Sequence, residues 1–190
     1  MVWAYADPPY PGLARRYYGT AEVDHAALVS RLQRFDAWAL STAADSLPWL
    51  LELCREAGIG DVLVGAWFRG ERPGAATLPR SAWEPVIYCG ARPLDPSPRA
   101  RRDALTLIAR PRLTDPAREI GQKPAGFWWW LFELMGARAG DTFEDLFPAS
   151  GGGARAWEAW TREASRLEDR QEGTRELELA SREHERGNDG

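Results

Sequence analysis

Cysteine, lysine and long apolar runs are scarce in this chain of 190 residues. Its two cysteines, Cys54 and Cys89, form no CxxC pair and lack metal-ligand spacing, which argues against a disulfide scaffold and against a metal site. No stretch approaches the roughly twenty apolar residues that a membrane-spanning helix needs. The first residues lack the basic segment and apolar core of a signal peptide, so we expect a cytoplasmic protein.

The charge balance is acidic, with a formal net charge of −4. Lys123 is the only lysine, and every other basic residue is arginine. The excess of acid lies in residues 158–190, and the charges of residues 1–157 sum to zero. An acidic total does not exclude a nucleic-acid partner, because a local basic patch is enough for binding.

Apolar segments typical of strands alternate with amphipathic segments typical of helices. Strands are predicted over residues 2–6, 35–41, 61–67, 84–89 and 141–147. Helices are predicted over about 25–34, 46–58, from 124 to Gly136 or Gly140, and over 154–170. This alternation predicts an α/β fold with a mainly parallel sheet and flanking helices. Pro85 has no backbone N–H to donate, so the strand over 84–89 is expected at an edge of the sheet.

Two segments depart from this pattern. Residues 91–121 are rich in arginine and proline, and we expect a long irregular excursion there, within one domain over residues 1–170. Residues 171–190 are highly charged with almost no apolar content, which predicts a disordered tail.

Asp7, Pro8, Pro9 and Tyr10 follow the first predicted strand directly. The exocyclic amine of adenine or cytosine is a poor nucleophile, because its lone pair is delocalised into the ring. The Asp7 carboxylate and the Pro8 carbonyl could accept both amine hydrogens and free that lone pair for attack. Prolines fix the backbone, and Tyr10 offers a flat face for stacking on a flipped-out base. A simple strand-to-loop turn is the alternative interpretation.

A turn of small residues follows the last predicted strand, and it contains Asp145, Phe147, Ala149, Ser150 and Gly151. Small residues let the backbone approach a ligand, and amides at the start of the next helix can bind a carboxylate. In a parallel sheet this turn and the Asp7 motif would meet at the carboxyl ends of the strands, where ligands bind. An ordinary strand–helix loop is the alternative.

The order of these motifs resembles the permuted, β-type amino-methyltransferases, which methylate adenine N6 or cytosine N4 in DNA. The resemblance spans residues 2–160, and its motifs are Asp-Pro-Pro-Tyr at 7–10, Trp83–Tyr88, Lys123-Pro124-x-x-Phe127, Gly140-Asp141 and Asp145-x-Phe147-x-x-Ser150-Gly151. It implies a Rossmann-like methyltransferase fold and an enzyme that uses S-adenosylmethionine (SAM). Such enzymes are common in phages, mobile elements and bacterial genomes.

The resemblance also implies roles for individual residues. Catalysis would fall to Asp7, Pro8, Pro9 and Tyr10, and cofactor binding to Asp7, Lys123, Pro124, Phe127, Asp145, Phe147, Ala149, Ser150 and Gly151, with no metal. Double-stranded DNA with a flipped-out target base would be the partner. Aspartate rather than serine at the first motif position favours adenine N6 as the target.

The sequence departs from the family pattern in three ways, and each changes what we expect of the cofactor site or of DNA binding. Ala149 stands where the family usually has glycine. No two further strands are predicted after the helix over 154–170, so the sheet would be reduced and the adenosine end of the cofactor exposed or covered by a second copy or a partner subunit. No separate target-recognition domain is predicted, so residues 11–20 and 91–121 are expected to contact DNA.

The residues predicted to bind nucleic acid in these two loops combine positive charge with aromatic faces. They are Arg15, Arg16, Tyr17, Tyr18, Arg99, Arg101 and Arg102. A solvated loop is the alternative for them. At the level of function, the alternatives are a methyltransferase for cytosine N4, RNA or a protein amide, and a reduced, non-catalytic DNA-binding protein.

Overall fold

The computed structural model describes residues 1–12, 14–15, 19, 21–70, 81–93, 101–108, 122–149, 151–168 and 170. These residues form the strands β1 (Val2–Ala6), β2 (Ala37–Ser41), β3 (Leu63–Phe68), β4 (Trp83–Cys89), β5 (Ala104–Thr106) and β6 (Thr142–Asp145). The main helices are α1 (His25–Leu32), α2 (Leu47–Glu56), α3 (Ala125–Met135) and α4 (152–168). Within this described part, no helix is long and apolar enough to cross a membrane.

The strands form one sheet in the order β5-β3-β4-β2-β1-β6. β1 pairs in parallel with β2 and β6, and β3 pairs in parallel with β5. β4 is antiparallel to both of its neighbours, so it is the one strand of this sheet that runs against the others. The predicted α/β fold with a mainly parallel sheet and flanking helices is therefore confirmed. No described strand lies beyond β6.

Helix boundaries follow from local signals in the sequence. The Asp24 side chain accepts the Ala27 N–H at 2.9 Å and so caps the start of α1. Gly136 ends α3 with φ 63°, a left-handed conformation in which glycine carries no steric cost.

The sheet separates two apolar cores because successive side chains of a strand point to opposite faces. In β1, Trp3 and Tyr5 pack with the aromatic residues of α3, while Ala4 and Ala6 pack with α1 and α2. The helix α3 is apolar nearly all round, as expected for a buried helix. Gly65 of β3 permits its close approach, since a Cβ there would lie 3.2 Å from the Trp130 ring.

The edge position expected for the strand with Pro85 is wrong, because β4 lies between β3 and β2. The Pro85 carbonyl accepts the Thr42 N–H at 3.1 Å, just beyond the end of β2 at Ser41. On its other side Pro85 lies opposite Ala66, whose N–H donates to the Asp103 carbonyl at 2.7 Å. The missing proline N–H therefore removes no hydrogen bond from the middle of a ladder.

The excursion expected to be irregular over residues 91–121 contains one short strand that was not predicted, β5. Side chains distant in sequence hold the segment around β5. The indole of Trp67 donates to the Leu107 carbonyl at 3.0 Å, and that of Trp130 donates to the Arg102 carbonyl at 2.9 Å. Because these contacts join residues that are far apart in the sequence, no local sequence pattern indicates them. Residues 94–100 and 109–121 of the excursion, and the tail over 171–190, lie outside the described residues.

An ion cluster ties together the amino ends of β1 and β6. The Asp141 carboxylate accepts hydrogen bonds from Arg92 Nη2 at 2.8 Å and from the Met1 ammonium at 3.0 Å. Burial alone would raise the pKa of Asp141, but the hydrogen bonds from Arg92, Met1 and the Arg138 N–H outweigh burial and lower it to about 2. Arg101 joins the cluster by donating to the Arg92 carbonyl at 2.6 Å.

We expect Asp141→Asn to lower the free energy of unfolding by about 2 kcal/mol at neutral pH. Because the folded-state pKa lies below the ordinary value of 3.8, this stabilisation is complete above that value and is lost as the pH falls towards 2. Urea unfolding at pH 7, 4 and 3 measures the difference between variant and wild type. Glu144→Gln, which breaks an exposed pair with Arg31, is the control and should change stability little. A difference for Asp141→Asn that grows with acidity would contradict this account.

Candidate active site

The candidate site lies at the carboxyl ends of β1 and β6. These strands are parallel neighbours with Tyr5 opposite Asp145, so Asp7 and the turn after β6 come to the same edge of the sheet. Lys123 joins them from the segment before α3. The meeting of the two motifs expected from their places in the sequence is therefore observed.

Four charged side chains form a continuous row at this edge, called the ion row here: Asp7, Lys123, Glu84 and Arg69. Lys123 Nζ lies 2.8 Å from Asp7 Oδ2 and 2.8 Å from Glu84 Oε1. Arg69 Nη1 lies 2.8 Å from Glu84 Oε2. Lys123 and Glu84 are almost wholly buried, with exposed side-chain fractions of 6% and 2%. Alternating charges in the row compensate one another within a poorly hydrated site.

Burial and neighbouring charges set the proton affinities of the site. Burial raises the pKa of Asp7 to about 6, against the opposing effect of Lys123. Burial favours the neutral amine of Lys123, but the negative charge of Asp7 and of Glu84 outweighs it and holds the pKa well above its usual range. At neutral pH the row therefore contains a charged lysine beside a carboxylate that can take up a proton readily.

Aromatic side chains lie close to Lys123 of the ion row. Lys123 Nζ lies 5.9 Å from the centroid of the Trp67 ring and 5.7 Å from that of Phe127, distances typical of cation–π contacts. The phenol of Tyr5 is buried and shares a hydrogen bond of 2.7 Å with the Ser41 hydroxyl. Burial, followed by the charge of Glu84, raises the pKa of Tyr10, so its phenol remains neutral.

A pocket opens beside Asp7 and reaches the turn after β6. Its lining is formed by the end of β1, the segment before α3, Trp128 and the turn: Tyr5, Asp7, Gln122, Lys123, Trp128, Asp145, Phe147, Pro148, Ala149, Gly152 and Gly153. Burial raises the pKa of Asp145, whose Oδ1 accepts the Phe147 N–H at 3.1 Å. The pocket thus combines carboxylates, one ammonium, three aromatic side chains and closely approaching backbone.

Two small residues shape this lining. A Cβ on Gly153 would lie 2.5 Å from Asp145 Oδ2 and 2.9 Å from the Trp128 ring, so only a hydrogen fits there. Ala149 has φ 38°, in the left-handed region that favours glycine. The backbone conformation thus gives a physical reason why glycine would suit the position of Ala149.

The predicted cofactor residues do not all line the pocket. Asp7, Lys123, Asp145, Phe147 and Ala149 do. Phe127 is fully buried in the aromatic core beneath Lys123, Pro124 caps the start of α3, and Gly151 lies in the turn beside the lining. Ser150 lies outside the described residues. Of the predicted catalytic motif, Pro8 and Pro9 join Asp7 to Tyr10, whose pKa responds to the charges of the ion row.

The predicted nucleic-acid contacts that the structure describes do not lie together. Arg15 is exposed in the segment that follows Tyr10. Arg101 and Arg102 precede β5, which runs in the same direction as β1, so they lie at the sheet end opposite to Asp7. Arg101 is also held in the Asp141 ion cluster by its bond to the Arg92 carbonyl. The structure therefore does not bring Arg101 and Arg102 to the site, and Arg16, Tyr17, Tyr18 and Arg99 fall outside the described residues.

Glu84 and Arg69 are site residues to which sequence reasoning gave no role. Glu84 carried a detectable signal, because it is a charged residue at the start of an otherwise apolar strand. Arg69 carried none, since it follows β3 as one of many arginines in the chain. Within the described ranges, no group of three or more His, Cys, Asp or Glu side chains could hold a metal ion.

Comparison with known proteins gives a similarity of structure only. No protein-family model matches the sequence, and no curated protein matches it. The fold is similar to the crystal structure of the M1.HpyAVI–SAM complex, with a TM-score of 0.55 and 13% sequence identity over 84% of this chain and 78% of that chain. This similarity and the sheet described above confirm the Rossmann-like methyltransferase fold predicted from the sequence.

Proposed function

We propose that this protein is a SAM-dependent methyltransferase that acts on an exocyclic amine of DNA, with adenine N6 as its target. The observation that carries the proposal is the junction of Asp7 with the pocket. The Asp7 carboxylate lines the pocket at the turn after β6, and Asp7 also begins the motif that ends at Tyr10. The M1.HpyAVI–SAM complex supports the cofactor, since it shares the fold.

The lining of the pocket suits SAM chemically. Asp145 offers a carboxylate to a cationic or hydroxyl group, and Gly153 lets the backbone lie close to a ligand. Phe147 and Trp128 provide apolar surface beside these polar groups. When bound, SAM would supply a methyl group on a positively charged sulfur.

Asp7 would hold and activate the target amine. Its carboxylate accepts one amine hydrogen and the Pro8 carbonyl accepts the other, which draws the nitrogen lone pair out of conjugation. After transfer the methylated amine must lose a proton, and a carboxylate with a pKa of about 6 can accept it at neutral pH. Lys123 positions this carboxylate through their 2.8 Å contact. Most of the catalysis would come from positioning.

Tyr10 would stack on the target base after the base leaves the double helix. We place the DNA over the edge that carries Asp7, with Arg15 and the segment over 11–20 as contacts. A second copy or a partner subunit would cover the adenosine end of the cofactor beside β6, beyond which no described strand lies.

The test is to incubate the purified protein with SAM and mixed double-stranded DNA, digest the DNA, and measure methylated nucleosides by mass spectrometry. N6-methyladenine is the expected product. Detection of N4-methylcytosine would show the same reaction with cytosine, and not adenine, as the target base. Methylation of RNA or protein alone would replace DNA as the substrate, and cofactor binding without any methylation would contradict the proposed enzyme.

One observation favours a second candidate, a reduced methyltransferase-like protein that binds DNA without turnover. Ala149 occupies a left-handed conformation in the proposed cofactor turn, and backbone strain there would weaken cofactor binding. Isothermal titration calorimetry with SAM distinguishes the two candidates, because the second predicts no binding.

We expect Gly153→Ala to weaken SAM binding at least about tenfold, which corresponds to about 1.4 kcal/mol. The added methyl would collide with Asp145 Oδ2 and the Trp128 ring and would displace both from the pocket. Calorimetry measures the change. Gly140→Ala is the matched control, because a Cβ there meets nothing within 4 Å. Equal affinities of the two variants would contradict the placement of the cofactor.

A further inference from the structure

Glu84 and Arg69 are the members of the ion row to which the proposed mechanism gives no task. Glu84 lies in β4, an interior strand of the sheet, and its side chain is 2% exposed. Arg69 directly follows β3, which pairs with β4, and its backbone N–H donates to the Ala82 carbonyl at 2.9 Å. Glu84 is thus the one member of the row that lies within a strand, and Arg69 is held beside it.

The Lys123 ammonium is shared by two carboxylates. Its Nζ lies 2.8 Å from Asp7 Oδ2 and 2.8 Å from Glu84 Oε1. The centroids of the Trp67 and Phe127 rings lie 5.9 and 5.7 Å from the same nitrogen. Because the lysine side chain is 6% exposed and surrounded in this way, it has little room to adopt another conformation. Glu84 therefore fixes the ammonium, and the ammonium fixes one oxygen of Asp7.

The other oxygen of Asp7 remains for a ligand. The ion pair with Lys123 is made through Oδ2, and none of the contacts among the described residues engages Oδ1. The Asp7 side chain is 21% exposed and lines the pocket, so a ligand can reach it. The proposed mechanism needs an acceptor of this kind for one hydrogen of the target amine.

We propose that Glu84 and Arg69 are positioning residues, which hold the Lys123 ammonium between two carboxylates so that it engages one oxygen of Asp7 and leaves the other for the target amine. Arg69 holds Glu84 through a bond of 2.8 Å from Nη1 to Oε2, which leaves Oε1 for Lys123. This inference rests on the proposed function. It adds two residues that act on Asp7 without touching the substrate.

The two positioning residues act on Asp7 with opposite sign. The negative charge of Glu84 raises the pKa of Asp7, whereas Lys123 lowers it. Without Glu84, the ammonium would turn to Asp7 alone, would engage both of its oxygens, and would lower its pKa. Without Arg69, the charge of Glu84 would be less compensated and would draw the ammonium away from Asp7, so the pKa of Asp7 would rise.

The other titratable groups near Asp7 stay the same in every variant. They are Asp145 and Tyr5, which line the same pocket, and Tyr10 of the same motif. Burial raises the pKa of all three, so both phenols remain neutral over the pH range in which Asp7 titrates. A difference in the pKa of Asp7 between variants therefore reports on the ion row.

The experiment measures the pKa of Asp7 by NMR with carbon-13-labelled aspartate carboxyl groups, in the full protein without SAM or DNA. The spectrum of Asp7→Asn assigns the resonance. We expect Glu84→Gln to lower this pKa, so that Asp7 binds its proton about tenfold more weakly than in the wild type. We expect Arg69→Met to raise the pKa, with about threefold tighter binding of the proton.

Further variants separate the effect of charge from that of shape. In the double variant Glu84→Gln/Arg69→Met, the loss of Arg69 should no longer raise the pKa of Asp7, because Arg69 acts through Glu84. Arg69→Lys keeps a cation beside Glu84 and should restore the wild-type pKa. Arg69→Gln replaces Arg69→Met if the latter does not fold.

Glu52→Gln is the matched control for Glu84→Gln. Glu52 also pairs with an arginine, Arg55, but both side chains are at least half exposed. This variant should leave the pKa of Asp7 unchanged.

The acidic limb of the pH profile of kcat/KM for DNA methylation should move in the same two directions as the pKa of Asp7. A merely structural role would lower kcat/KM without moving that limb, and this result would overturn the inference. Shifts of equal sign in Glu84→Gln and Arg69→Met, or no shift in either, would overturn it as well. The NMR titration needs no activity, so the expected shifts without any methylation by the wild type would overturn the proposed function instead.

Discussion

We expect Asp7→Ala to abolish methyl transfer while the protein remains folded. We expect kcat to fall by at least about a thousandfold, because the variant lacks both the acceptor that activates the amine and the base that removes its proton. Nucleoside mass spectrometry after incubation with SAM and DNA measures the loss. Lys123 remains paired with Glu84 at 2.8 Å, so the buried ammonium keeps a partner and the fold should survive.

Circular dichroism and the melting temperature provide the control for folding in Asp7→Ala. Asp7→Asn is the sharper variant, since an amide keeps an acceptor of similar shape but cannot take up the proton. With the pKa of Asp7 near 6, the wild-type kcat/KM should decrease as the pH falls below about 6. Asp7→Asn should lack that decrease. Substantial activity in Asp7→Ala would refute the role assigned to this carboxylate.

Of these variants, Glu84→Ala is expected to lower the free energy of unfolding most. The carboxylate is 2% exposed and is shared by Lys123 and Arg69, so its removal leaves the buried Lys123 and the partly buried Arg69 with only Asp7 to balance them. Breaking a buried ion pair from one side typically costs about 3–5 kcal/mol. We expect a loss of that size in the free energy of unfolding, measured by urea denaturation at pH 7.

Glu52→Ala is the matched control for Glu84→Ala. Glu52 also pairs with an arginine, Arg55, but both side chains are at least half exposed. Solvent-exposed pairs of this kind contribute about 0–1 kcal/mol. Similar losses in the two variants would show that the ion row does not stabilise the fold.

The fold could be predicted where the signal is local. β1 and β2 are short apolar runs bounded by turn residues, and α3 has a proline at its start and a glycine at its end. β5 could not be predicted, because three residues form it only through contact with β3. Pro85 led to the wrong prediction of an edge strand. Because β2 ends beside Pro85, the missing N–H has no strand partner to lose there.

The candidate site could be predicted where one segment carries the chemistry. The Asp7 motif and the Asp145 turn each follow a strand, and the parallel pairing of β1 with β6 joins them. The ion row could not be read in the same way, since Arg69, Glu84 and Lys123 come from three separate segments. Arg101 was predicted to bind nucleic acid because it lies in an arginine-rich segment. Its side chain instead donates to the Arg92 carbonyl in the Asp141 ion cluster.

In the proposed reaction a methyl group passes from SAM in the pocket to an amine held by Asp7. The most direct test uses SAM with a deuterated methyl group, unmethylated double-stranded DNA, and wild type beside Asp7→Ala. We expect deuterated N6-methyladenine from the wild type and none from the variant. Binding of SAM by the wild type with no deuterated methyl on any nucleoside, or equal labelling by both proteins, would contradict the proposed transfer.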